Sequence, residues 1–134
     1  MKVFLSYAES DRQVAKEIAS QLEAGGHDVW SADNALFPGE NAALEAGKAL
    51  DKAEAMVVLI SPQAMKSVWV RREIEFALGA AQYRGRLIPV IVKPTADIPW
   101  ILKKFPSVRI GKHMAEAGRE IAEYVKHGFE LAPA

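Results

Sequence analysis

An α/β fold built on a parallel sheet is predicted by three features of this 134-residue sequence. Short runs rich in Val, Ile and aromatic residues alternate with helical patterns along the whole length. Two of those runs, Val57-Val58-Leu59-Ile60 and Leu87-Ile88-Pro89-Val90-Ile91-Val92, are continuously apolar, as expected of strands covered by helices on both faces. The spacing between runs leaves room for the helical crossovers that parallel pairing requires.

Each element has a local reason. Val3–Tyr7 opens the chain as a strand. Ser10 with Gln13 forms a capping-box pattern ahead of Val14, Ile18 and Leu22, and Gly25-Gly26 supplies the helix stop. Asp28–Trp30 is a second short strand, followed by an alanine-rich helix from Ala42 to Ala53. Ala55–Ile60 is the third strand. Ser67 can cap a helix with Val70, Ile74, Ala77, Leu78 and Ala81 on one stripe. Leu87–Val92 is the fourth strand, where Pro89 cannot donate to the ladder and should sit near an edge or irregular pairing. Ser107–Ile110 is a weak fifth, and Met114 to His127 makes the last helix with Ile121 and Val125 inward. Right-handed crossovers then favour a flavodoxin-like, three-layer arrangement with strand order 2-1-3-4-5. No repeat, linker or low-complexity tract interrupts residues 1–134, so a single domain is expected.

Composition narrows the function. Basic and acidic side chains balance at 17 each, which argues against nucleic-acid binding as the main task. The short basic clusters Arg71-Arg72, Arg84 with Arg86, and Lys103-Lys104 read as solvated faces. The absence of cysteine excludes disulfides, thiolate nucleophiles and Cys metal sites. No apolar segment approaches the roughly 18 residues of a membrane span, and the first apolar run is too short for a signal peptide. A cytoplasmic domain without a membrane partner is the expectation.

Ligands of such a sheet gather at the carboxyl ends of its strands. Those ends are Ser6-Tyr7-Ala8-Glu9, Ser31-Ala32-Asp33 and Ser61-Pro62. The loop from Ser31 to Glu40 carries Leu36-Phe37-Pro38-Gly39, apolar groups suited to contact with a ligand, a partner or the local core. The P-loop, the dinucleotide fingerprint GxGxxG and the GxSxG elbow are all absent. His27, His113 and His127 lack metal-ligand spacing, so no metal is expected. A phospho-receiver of this topology needs an Asp where the chain reads Ile60-Ser61-Pro62.

The Ser67-capped helix is the most informative element. Trp69, Glu73, Phe76 and Ala80 form a stripe beside the buried one. Glu73 has Trp69, Val70, Phe76 and Ala77 at its helical neighbour positions and therefore no basic partner there. Glu75, by contrast, has Arg71 and Arg72 in reach and reads as one half of a surface ion pair. A carboxylate flanked by aromatics without a counter-charge should be desolvated, with a raised pKa. The alternative is a packed aliphatic stem whose head reaches water or a distant Arg.

These pieces together resemble a bacterial-type TIR (Toll/interleukin-1 receptor) domain. The matching stretches are Phe4-Leu5-Ser6-Tyr7-Ala8-Glu9-Ser10-Asp11, Leu36-Phe37-Pro38-Gly39-Glu40, Val58-Leu59-Ile60-Ser61-Pro62 and Ser67-Val68-Trp69-Val70-Arg71-Arg72-Glu73, with Ile88-Pro89-Val90 and Ile98-Pro99-Trp100 further on. The resemblance spans nearly the full length and implies the 2-1-3-4-5 sheet. Many bacterial and plant members cleave NAD+, as substrate rather than cofactor, at the nicotinamide ribosidic bond. Their catalytic Glu follows a Trp by four positions, which corresponds to Glu73 and Trp69. Ser6, Tyr7, Asp33, Leu36, Phe37 and Trp69 then correspond to the substrate-binding wall. Two departures are Asn41-Ala42-Ala43, where many relatives carry an aromatic, and Ala8, where some active members carry Arg. The resemblance also implies homotypic TIR–TIR assembly, and a role in bacterial defence or signalling. Two other functions remain open: a non-catalytic TIR–TIR interaction module, and a nucleoside deoxyribosyltransferase-like enzyme, which also uses a Glu.

Overall fold

The computed structural model describes residues 1–31, 42–111 and 113–129. Among them, β1 (Lys2–Ser6), β2 (Asp28–Trp30), β3 (Ala55–Ile60), β4 (Leu87–Ile91) and β5 (Val108–Arg109) form one parallel sheet. Its order is β2-β1-β3-β4-β5, as the sequence predicts. The main helices are α1 (Arg12–Ala24), α2 (Ala42–Lys52), α3 (Pro62–Lys66), α4 (Val68–Gly79) and α5 (Met114–His127). None of the helices is long and apolar enough to cross a membrane, among the described residues.

The pleat of the strands sorts side chains into two cores. Val3, Leu5, Val57, Leu59, Ile88 and Val90 point to one face, where Ile18 and Leu22 of α1 and Ile121 and Val125 of α5 cover them. Phe4, Met56, Val58, Ile60 and Leu87 point to the other, under Val70, Ile74 and Ala77 of α4 and Ala64 and Met65 of α3. All six residues of β3 are buried, which is why its sequence lacks polar alternation. Pro89 pairs in register with Val58, and β5 engages β4 only from Val90 onward. The missing N–H thus falls where β4 has no second neighbour.

Three local expectations need correction, and one short helix is not anticipated. The capping box at Ser10 does not form: Glu9–Asp11 is a 3-10 turn, and α1 begins after Asp11 with no side-chain cap. The short α3 escaped the periodicity because five residues carry too little pattern, although Ser61 at its N-cap and Pro62 in its first turn are ordinary start signals. Leu78 and Ala81 are exposed rather than inward: α4 buries Val70, Ile74 and Ala77 and ends at Gly79, so Ala81 falls in the 3-10 turn beyond it. Glu75 is exposed, and among the described residues its expected ion pair with Arg71 or Arg72 does not form. Ordering two long exposed side chains costs as much as such a pair returns.

The end of α5 is fastened to the start of β4. Arg86 donates from Nε to the Val125 carbonyl at 3.1 Å, and the Phe129 N–H bonds the Gly85 carbonyl at 2.8 Å. Gly85 has φ +75°, and a Cβ there would lie 2.6 Å from the Phe129 carbonyl oxygen. Both its backbone angle and the close approach require glycine.

Candidate active site

Alternation along β1 puts Ser6 on the same face as Phe4, beneath α4. It ends the strand and is almost wholly buried. On the other side of the site, Ser67 starts α4 by accepting the Val70 N–H at 3.3 Å. Such a cap contributes about 1 kcal/mol and fixes where the helix begins. Val70, Ile74 and Ala77 then anchor α4 to the sheet, and Glu73 lies along the margin of that buried stripe, half-buried.

The two elements meet through their side chains. Ser6 Oγ donates to Glu73 Oε1 at 2.7 Å, across 67 residues of sequence. Burial pushes the Glu73 carboxyl up from 4.5 to about 7, with the Ser6 hydrogen bond opposing that rise. A carboxyl group at the carboxyl edge of the sheet is thereby poised to exchange its proton near neutrality. Nearby, Tyr83 is buried with its hydroxyl donating to the Leu50 carbonyl, and Phe76 packs edge-on against its ring at 6.3 Å. Burial pushes the Tyr83 phenol up to about 12; the Gln82 hydrogen bond opposes this, while the charges of Asp51 and Glu73 add to it.

The other expected site residues divide. Trp69 is one turn before Glu73 on α4 and 55% exposed, leaving its ring open to a flat ligand. Tyr7 packs against the core under α1 and α5, on the face opposite Ser6. Asp33, Leu36 and Phe37 lie outside the described residues. One pairing has no signal in the sequence. Asp11 and Ser61, both buried, are joined by a hydrogen bond from Ser61 Oγ to Asp11 Oδ2 at 2.5 Å. Ser61-Pro62 is legible as a strand end, but nothing local pairs it with a residue 50 positions away.

Residues 3–124 match the profile of the TIR domain. The chain belongs to the TIR domain family. This TIR domain is 29% identical over 98 residues to the NAD(+) hydrolase PdTIR of Paracoccus denitrificans. That alignment takes in 71% of the present chain and 32% of the relative, so the chain spans about a third of the curated relative it matches. Among solved structures, it resembles a metazoan TIR-STING receptor from C. gigas, with TM-score 0.77 and 21% identity, covering 98% of this chain and 40% of that one. It also resembles the TIR domain of the Toll-related receptor TRR-2 from Hydra magnipapillata, with TM-score 0.70, 20% identity and 90% of each chain covered. At these identities the two structures speak for the fold.

Proposed function

We propose that this TIR domain cleaves NAD+ at the nicotinamide ribosidic bond, with Glu73 as the catalytic carboxylate. The observation that carries the reading is the desolvated Glu73 held by Ser6 at the carboxyl edge of the sheet. Similarity to an NAD(+) hydrolase supports it.

The chemistry suits one carboxylate. Nicotinamide leaves as a neutral molecule from a cationic pyridinium, so the leaving group needs no general acid. What remains is to hold the ribose and stabilise the developing oxocarbenium ion, a task a nearby anion performs well in a dry site. The cationic substrate also favours the ionised form of Glu73, so binding itself helps to expel the proton. Trp69 offers a face for stacking, and Asp33, Leu36 and Phe37 complete the substrate wall in this reading; Tyr7, packed on the opposite face of the sheet, is left out of it. Water attack at the anomeric carbon yields ADP-ribose, with the water proton released to solvent. Attack by an adenine nitrogen or a ribose hydroxyl of the same molecule yields a cyclic isomer. A defence or signalling role would follow from depletion of NAD+ or release of such a product.

The direct test is to mix purified protein at high concentration with NAD+ and follow free nicotinamide. Release is expected, and it should survive EDTA because no step requires a metal. Absence of release, or loss on chelation with recovery on adding a divalent ion, rejects the reading.

Homotypic assembly belongs to the same proposal. If a neighbouring copy completes the pocket, specific activity should rise with protein concentration by mass action. A constant specific activity across about a hundredfold dilution of a monodisperse monomer rejects a shared site and leaves Glu73 as the candidate.

A further inference from the structure

The Asp11–Ser61 pair lies at the same edge of the sheet as Glu73 and has no part in the scheme above. Asp11 occupies the N-cap position of α1, where an Asp ordinarily accepts an N–H of its own helix. It makes no such bond. Its Oδ2 instead accepts from Ser61 Oγ, with Asp11 3% exposed and Ser61 fully buried. A buried carboxyl is costly unless bonded, so this pairing is a requirement of the site rather than an accident of the surface.

Ser61 connects that bond to α4. Its Oγ also accepts the Ala64 N–H at 3.1 Å, which starts α3. One residue, Ser67, ends α3 and begins α4. The path from Ser61 to Glu73 is therefore two helices with a single-residue joint. Glu73 returns to β1 through Ser6. Residues 6–11 and 61–73 are thus tied at both ends, by Ser6–Glu73 and by Asp11–Ser61.

We propose that Asp11 is a positioning residue for Glu73: through Ser61 it holds the segment that carries the carboxyl group against Ser6. As a contribution to turnover this role rests on the proposed NAD+ cleavage, whereas its effect on Glu73 itself does not. Misplacement of a reacting group by about 1 Å can cost about a hundredfold in rate, so a modest slip of this frame is enough to matter.

The test follows Asp11→Ala, Asp11→Asn, Ser61→Ala and the Asp11→Ala/Ser61→Ala double variant with two readouts. One is kcat and KM for nicotinamide release; the other is the carbon-13 titration of the Glu73 side chain. Asp11→Ala is expected to lower kcat at least about tenfold with little change in KM. Its Glu73 titration should move from about 7 toward the ordinary carboxyl range as water reaches the loosened site. Asp11→Asn, whose amide oxygen can still accept from Ser61, should retain most activity. The double variant should be no worse than the more damaged single one, because both substitutions break one tie. An unmoved Glu73 titration in folded Asp11→Ala, or losses that multiply in the double variant, overturns the proposal. Should Asp11→Ala not fold, Ser61→Ala takes its place: a shifted Glu73 titration there supports the frame, and an unmoved one overturns it. A wild-type chain that releases no nicotinamide while the Glu73 titration still moves refutes the proposed reaction and supports the frame.

Discussion

Glu73→Gln is expected to abolish nicotinamide release while leaving the domain folded. The amide has the shape of the carboxyl group, and its oxygen can still accept from Ser6 at the position now occupied by Oε1. Only the negative charge is lost. Removing one preorganised electrostatic partner of a transition state costs about a hundred- to a thousandfold in turnover. Here no second carboxylate is assigned to share the task, so the loss should reach the upper end. Glu75→Gln on the same helix is the control. Glu75 is exposed and forms no ion pair among the described residues, so its replacement should change stability by less than about 1 kcal/mol and turnover hardly at all. Wild-type turnover in Glu73→Gln would remove Glu73 from the mechanism.

The same substitution should make the domain more stable, and only at neutral and alkaline pH. Burial favours the protonated form of Glu73 and raises its pKa from 4.5 in the open chain to about 7 in the fold. The folded state therefore holds more protons than the unfolded state between those values, and stability falls as pH rises through that window. Below about 4.5 the burden is absent; above about 7 it is complete. A carboxyl raised by this much costs about 3 kcal/mol when ionised, as an upper bound. Glutamine carries no charge at any pH. Thermal melts of the two proteins at about pH 5 and about pH 8 should thus coincide more closely at the lower pH, with Glu73→Gln melting several degrees above wild type at the higher. A gap that does not depend on pH would contradict the assigned environment. If Glu73 acts as proposed, activity should show the complementary trend and rise toward about pH 7 as its carboxylate forms. Instability concentrated in a reacting group is a common accompaniment of function.

The sheet is legible in the sequence because β3 and β4 are continuously apolar, a signature of strands covered on both faces. The cap at Ser67 is legible because its partner is three residues away. Glu73 stands out through what its own helix lacks, a cation one turn away. Its environment beyond the helix is not legible, since Ser6 reaches it only after the sheet has formed. Asp11 illustrates the limit in reverse. Local chemistry marks it as a helix cap, but its carboxyl is spent on Ser61. The capping box expected at Ser10 fails alongside it, because the turn at Glu9–Asp11 has to bring Asp11 inward. Short-range rules recover bonds made within a turn; bonds between strand ends belong to the topology.

The fastening of α5 beside the first residues of β4 has a practical consequence for attaching this domain to something else. Strands that run parallel begin together, and Met1 bonds the start of β2 through its carbonyl. Phe129 reaches the same margin through Gly85, ahead of β4. Handles introduced near residue 1 or residue 129 would therefore leave from the pole opposite Ser6 and Glu73. Domains tethered to a bead, a surface or an oligomeric scaffold from that pole would present the Ser6 and Glu73 edge outward and free of the anchor. Local density could then be set by the scaffold spacing, independent of the bulk concentration.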